Sequence, residues 1–72
     1  MSLNLPLYMQ LADTLREKIY GGTFAFGDEI LSERKLSAEY GISHLTVRKA
    51  LSILENDGLI VRIPGKGTFV KS

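Results

Sequence analysis

The side chains with most to offer a partner lie in the second half of this chain. Ser43, His44, Leu45, Arg48 and Lys49 fall in one amphipathic stretch, and Lys66 stands between Gly65 and Gly67 in a turn. Cations on one helical face offer donors to phosphate and to the major-groove acceptors of guanine, while an isolated apolar tip such as Leu45 fits a thymine methyl. A Gly-Lys-Gly tip lets the backbone pass close to a wall of phosphates and ends in a single positive charge. Catalysis has far less to work with, since the 72 residues include one histidine and no cysteine. Ser43 and His44 are not a nucleophile and base, because neighbours on a helix do not face each other. Gly65-Lys66-Gly67-Thr68 lacks both the glycine spacing and the hydroxyl directly after lysine that a nucleotide phosphate loop requires. No enzyme, cofactor or metal site is expected, and without cysteine a zinc finger and a disulfide scaffold are excluded.

Size and composition set the frame for these side chains. Seventy-two residues make one small domain, and 44% hydrophobic content with ordinary charge is that of a folded globule. No apolar run approaches the roughly 20 residues that span a bilayer, so no membrane contact is expected and a cytoplasmic location fits. The formal net charge is only +1, but it is uneven: residues 1–42 carry net −2 and residues 43–72 carry net +3. The basic half is the one that suits a polyanion.

The elements that must position the site follow from periodicity and caps. Pro6 suits a first helical turn, and Leu7, Leu11, Leu15 and Ile19, flanked by Tyr8 and Ala12, recur at helical spacing until Gly21-Gly22. Glu29-Ile30-Leu31 reads as a short strand. Ser32 caps a second helix from Glu33 to about Tyr40, stopped by Gly41. Ser43 caps a third, from His44 to about Asp57, closed by Gly58. Leu59–Ile63 and Thr68–Val70 are β-prone runs joined by Pro64-Gly65-Lys66-Gly67, which predicts a hairpin. The expected fold is mainly α with a small antiparallel hairpin, a winged helix-turn-helix filling residues 1–72.

Helical geometry then decides which face of the third helix is free. Val47, Ala50, Leu51 and Leu54 form the core stripe, which leaves Leu45, Arg48, Lys49 and Ser52 on the opposite arc and His44 near its boundary. Ser43 and the helix N-terminus can hold a phosphate through backbone donors. Arg34, in the first turn of the second helix, is poorly placed for a cation unless a phosphate or base lies opposite. The bland alternative is that Arg48 and Lys49 form a solvated face, Leu45 is a stray surface residue and Lys66 solubilises an ordinary turn.

At this point the stretch from Pro6 to Val70 resembles the N-terminal domain of the GntR family of bacterial repressors. The resemblance rests on Pro6-Leu7-Tyr8 with Gln10, Gly27-Asp28, Ser32-Glu33-Arg34, Leu36, Gly41-Ile42-Ser43, Thr46-Val47-Arg48, Ala50-Leu51, Leu54, Gly58-Leu59 and Gly65-Lys66-Gly67-Thr68-Phe69-Val70. Its opening and closing motifs are most similar to the HutC-type branch. The resemblance implies a transcription regulator, acting by repression, whose full-length form is a homodimer on a palindromic operator in double-stranded DNA. It also implies a larger C-terminal domain, absent from these 72 residues, that binds a small-molecule effector. By resemblance Arg34, Ser43, Thr46 and Arg48 contact DNA, and Gly65, Lys66 and Gly67 form the wing tip. Two departures stand out: His44 replaces a common arginine, and Leu31 a common proline. The rival reading is a winged helix used for protein interaction, which should show a contiguous apolar patch on the third helix.

Overall fold

The computed structural model describes residues 5–30 and 32–71. Among them the chain forms α1 (Leu7–Tyr20), β1 (Glu29–Ile30), α2 (Glu33–Tyr40), α3 (His44–Asn56), β2 (Ile60–Ile63) and β3 (Gly67–Val70). The order is the one periodicity predicts. Leu31, expected to extend the first strand, lies outside the described residues.

Local chemistry accounts for the helix boundaries. The Ser32 hydroxyl accepts from the Lys35 N–H at 3.2 Å and the Ser43 hydroxyl from the Thr46 N–H at 3.1 Å, so each expected cap satisfies an otherwise orphaned donor. Gly41, at φ 66°, takes the left-handed conformation that ends α2, and its N–H returns to the Ser37 carbonyl. The Ser37 hydroxyl also donates to the Ile42 carbonyl, tying the short turn between α2 and α3. This turn sets the angle between the two helices.

The core is a single cluster. Leu11, Ala12 and Leu15 of α1, Leu36 of α2, and Val47, Ala50, Leu51 and Leu54 of α3 meet Ile30, Ile60 and Val70 of the three strands. Val47, Ala50, Leu51 and Leu54 are each 0% exposed, as the predicted stripe requires. α1 and α2 both pack on α3, so α3 is the central element, with its opposite arc left for solvent or a partner. Leu7 departs from the expected α1 stripe and is 58% exposed. It sits at the first residue of the helix, beside Thr14, Tyr40 and Ile42 in a shallow groove, and helical spacing cannot show that the packing surface stops one turn short of the helix end.

The sheet is antiparallel throughout, in the order β1-β3-β2. β2 and β3 form the wing, with Ile60 opposite Val70 and Ile63 opposite Gly67. The Lys66 N–H closes the turn on the Ile63 carbonyl at 3.0 Å. β1 lies on the other side of β3, Glu29 opposite Phe69 and Ile30 opposite Thr68. The wing is thereby fixed to the start of α2 as well as to the end of α3.

Candidate nucleic-acid interface

On α3, His44, Leu45, Arg48 and Lys49 are exposed, Leu45 at 59%. The exposed arc thus matches the helical-wheel expectation for Leu45, Arg48 and Lys49, and His44, expected near its boundary, is exposed as well. Ser52 is not: it is half-buried, and its hydroxyl accepts from Arg62 Nη2 at 2.8 Å. The hydroxyl expected on the free face instead anchors the wing strand to α3.

The cations on this arc are not equivalent. Lys49 Nζ lies 5.6 Å from the ring centroid of Tyr8, a cation–π contact that draws it toward the start of α1. Arg48 Nη2 meets Glu33 Oε1 at 3.3 Å, with 58% of the Arg48 side chain still exposed. Sequence periodicity gave no sign of either partner, because both arrive from other elements.

Glu33 is the residue the sequence reading passed over. Its second carboxylate oxygen lies 3.6 Å from Arg62 Nη1, and Arg62 Nη2 also reaches Glu55 Oε1 at 3.1 Å. A chain of charge therefore runs from Arg48 on α3, through Glu33 at the first turn of α2, to Arg62 on β2 and back to Glu55 on α3. An acidic residue in a first helical turn is favourable by itself, which is why Glu33 looked like an ordinary start signal.

At the α3 N-terminus, the Ser43 hydroxyl caps the helix and lies 2.8 Å from the Thr46 hydroxyl. The hydroxyls of Ser43 and Thr46 form one local unit. The first backbone N–H groups of α3 remain free of intrahelical acceptors, as at any helix start. Arg34 is exposed, and among the described residues it has no carboxylate within ion-pair distance.

The wing tip lies across a shallow open groove from α2. Glu29, Ser32 and Glu33 line one side, and Arg62 to Thr68, including Gly65, Lys66 and Gly67, the other. Arg48 does not itself line this groove but meets Glu33, which does, and both Arg48 and Lys66 are exposed. Gly67 has a role beyond slimness at the tip. At φ 135° it adopts backbone geometry that side chains rarely tolerate, and a Cβ there would lie 2.7 Å from Glu29 Oε2. Gly65 has open space around its Cα and a φ of 78°.

This geometry has close counterparts. The model for "Bacterial regulatory proteins, gntR family" matches residues 7–70. The transcriptional repressor NagR of Bacillus subtilis is 42% identical over 66 residues, covering 92% of this chain and 27% of that protein. The histidine utilization repressor of Klebsiella aerogenes is 42% identical over 65 residues, covering 90% of this chain and 27% of that protein. The chain thus spans about a quarter of the length of these relatives. A crystal structure of the AraR DNA-binding domain in complex with operator ORE1 superposes with a TM-score of 0.90 at 35% identity, covering 92% of this chain and 80% of that one. The fold is the winged helix-turn-helix expected from the sequence, and with the family pattern running from α1 to the last residue of β3, the chain belongs to the gntR family of bacterial regulatory proteins.

Proposed function

We propose that this chain is the DNA-binding head of a transcription regulator, with α3 entering the major groove and the wing reaching toward the adjacent minor groove. Arg48 reads a base, Leu45 meets a thymine methyl, and His44 and Lys49 flank them. Ser43 and Thr46, with the α3 N-terminus, hold a phosphate, as does Arg34. Lys66, carried between Gly65 and Gly67, contacts phosphate or the minor groove. The observation that carries this reading is that two exposed cations on different elements meet the same surroundings: Lys66 lines the groove whose other wall includes Glu33, and Arg48 on the exposed arc of α3 pairs with that Glu33. The operator-bound AraR domain, of the same fold, supports it.

In the full-length protein we infer a cytoplasmic homodimer on a palindromic operator, acting as a repressor, with a C-terminal domain that binds a small-molecule effector. Two relatives of similar sequence are named repressors, and each is nearly four times the length of the matched segment. The rival reading, a protein-interaction module, calls for a contiguous apolar surface on α3. Leu45 instead shares its exposed arc with His44, Arg48 and Lys49.

The test is to compare two variants on duplexes selected from a random library and on duplexes of shuffled sequence. Arg48→Ala should cost about 1–3 kcal/mol on selected duplexes and relax the preference at one base pair, whereas Lys66→Ala should weaken both duplex classes alike. Equal losses on both classes for Arg48→Ala would remove its base-reading role.

A further inference from the structure

We infer that Arg62 is a positioning residue that holds the wing at the angle from which Lys66 reaches DNA; the inference rests on the DNA-binding reading above. The wing is anchored unevenly. β1 pairs with β3 at Phe69 and Thr68, and Ile60 and Val70 are buried in the core, so the hairpin is fixed at its root. Ile63 to Gly67, the part that carries Lys66, overhangs that anchor. Its backbone bonds run within the hairpin, with Ile63 opposite Gly67 and the Lys66 N–H on the Ile63 carbonyl. Those bonds hold the two strands together but do not fix the tilt of the tip against the helices.

Arg62 stands where the overhang begins, opposite Thr68, and its side chain turns back onto both helices. Nη2 donates to the Ser52 hydroxyl at 2.8 Å, Nε and Nη2 donate to Glu55 Oε1 at 3.2 and 3.1 Å, and Nη1 lies 3.6 Å from Glu33 Oε2. One planar guanidinium thus joins the wing to α3 and α2 at once, a fork that the single ammonium of lysine does not offer. Arg62 keeps 27% of its side chain exposed and is committed to these partners. Lys66 at the tip is exposed, and among the described residues it has no carboxylate within ion-pair distance. A tip tied down before DNA arrives has little motion left for binding to freeze, so the contact made by Lys66 counts in full toward affinity. An untied tip reaches the same phosphate only by giving up that motion, and Lys66 then contributes less. Each ion pair alone is weak because it is partly exposed; together they set where the tip points.

The test is a double-substitution cycle on a duplex selected by the 72-residue chain, with dissociation constants measured at one fixed salt concentration for Lys66→Ala, Arg62→Met and the two combined. Methionine keeps an unbranched apolar stem but none of the donors. Lys66→Ala should weaken binding about five-fold in the unmodified chain and at most about two-fold in the Arg62→Met background. A change in folded fraction, or in overall charge, on replacing Arg62 scales both arms alike and cancels from the comparison. Ser52→Ala with Glu55→Gln, which keeps the Arg62 charge and cuts its hold on α3, should shrink the Lys66 effect in the same direction, and it decides the matter where Arg62→Met does not fold. An undiminished Lys66 effect in the deciding background overturns the inference while leaving DNA reading intact. In the Lys66→Ala background, replacing Arg62 should leave the salt slope unchanged; a fall of about 0.9 would make Arg62 a phosphate ligand and overturn the positioning role. If Lys66→Ala costs nothing in the unmodified chain, the wing contact itself fails, and the inference with it.

Discussion

Single residues divide into those whose partners are local and those whose partners are not. Ser32 and Ser43 were legible as caps because the donor each satisfies lies three residues on, within the same segment. Lys49 and Arg48 were legible only as exposed helix positions, and Ser52, expected on the same arc, is half-buried. Their partners, Arg62, Tyr8 and Glu33, come from β2, α1 and α2, and no spacing within α3 encodes them. The cap at Ser43 carries the first prediction. Ser43→Ala leaves the Thr46 N–H without its side-chain acceptor and should cost about 1 kcal/mol. In a domain of this size that lowers the melting temperature by roughly 4–8 °C, as thermal denaturation followed by circular dichroism would read it. A melting temperature unchanged by the substitution would mean that the cap contributes nothing to folding.

At the scale of elements, α3 was the most legible because its four core positions share one stripe and all four are fully buried. Leu51→Ala opens a cavity in the core cluster, where Leu51 is fully buried. A loss of about 2–5 kcal/mol is expected, enough to unfold much of a domain whose total stability is on the order of 5 kcal/mol; chemical denaturation measures it. The wing was legible as a hairpin from its glycine-rich turn and alternating flanks. The third strand was not placed by the same signal, since β1 has two residues and pairs with β3 across most of the chain. That pairing brings Glu29 against Gly67. Gly67→Ala should therefore destabilise the fold by about 1–3 kcal/mol through backbone strain. Adding Glu29→Ala should recover only the part due to the carboxylate, since the φ of Gly67 is unaffected; full recovery would show that crowding, and not the backbone, sets the requirement for glycine.

At the scale of the whole molecule, the longest extent is 31 Å, below the roughly 34 Å turn that separates half-sites on a two-fold operator. One copy then covers one half-site. The net charge of +1 is too small to bind a polyanion by overall attraction, so affinity must come from placed cations. The 72-residue chain should bind a single half-site weakly, with a log–log salt dependence of slope about −0.9 per phosphate contacted. A titration at several salt concentrations measures it, and a flat response would argue against phosphate contacts. The distribution of charge was readable from the sequence. The approach of Arg48 and the wing to Glu33 from two sides was not, because it depends on where the wing meets α2.

The most direct test of that arrangement is interference by methylation of a duplex selected by this chain. A methyl on guanine N7 blocks the major groove, and one on adenine N3 blocks the minor groove. With α3 and the wing gripping neighbouring grooves, binding should fail for N7-methylated guanine at the centre of the half-site and for N3-methylated adenine beside it, and the second effect should weaken in Lys66→Ala. Binding that tolerates methylation in both grooves would contradict the account, as would sensitivity confined to the minor groove.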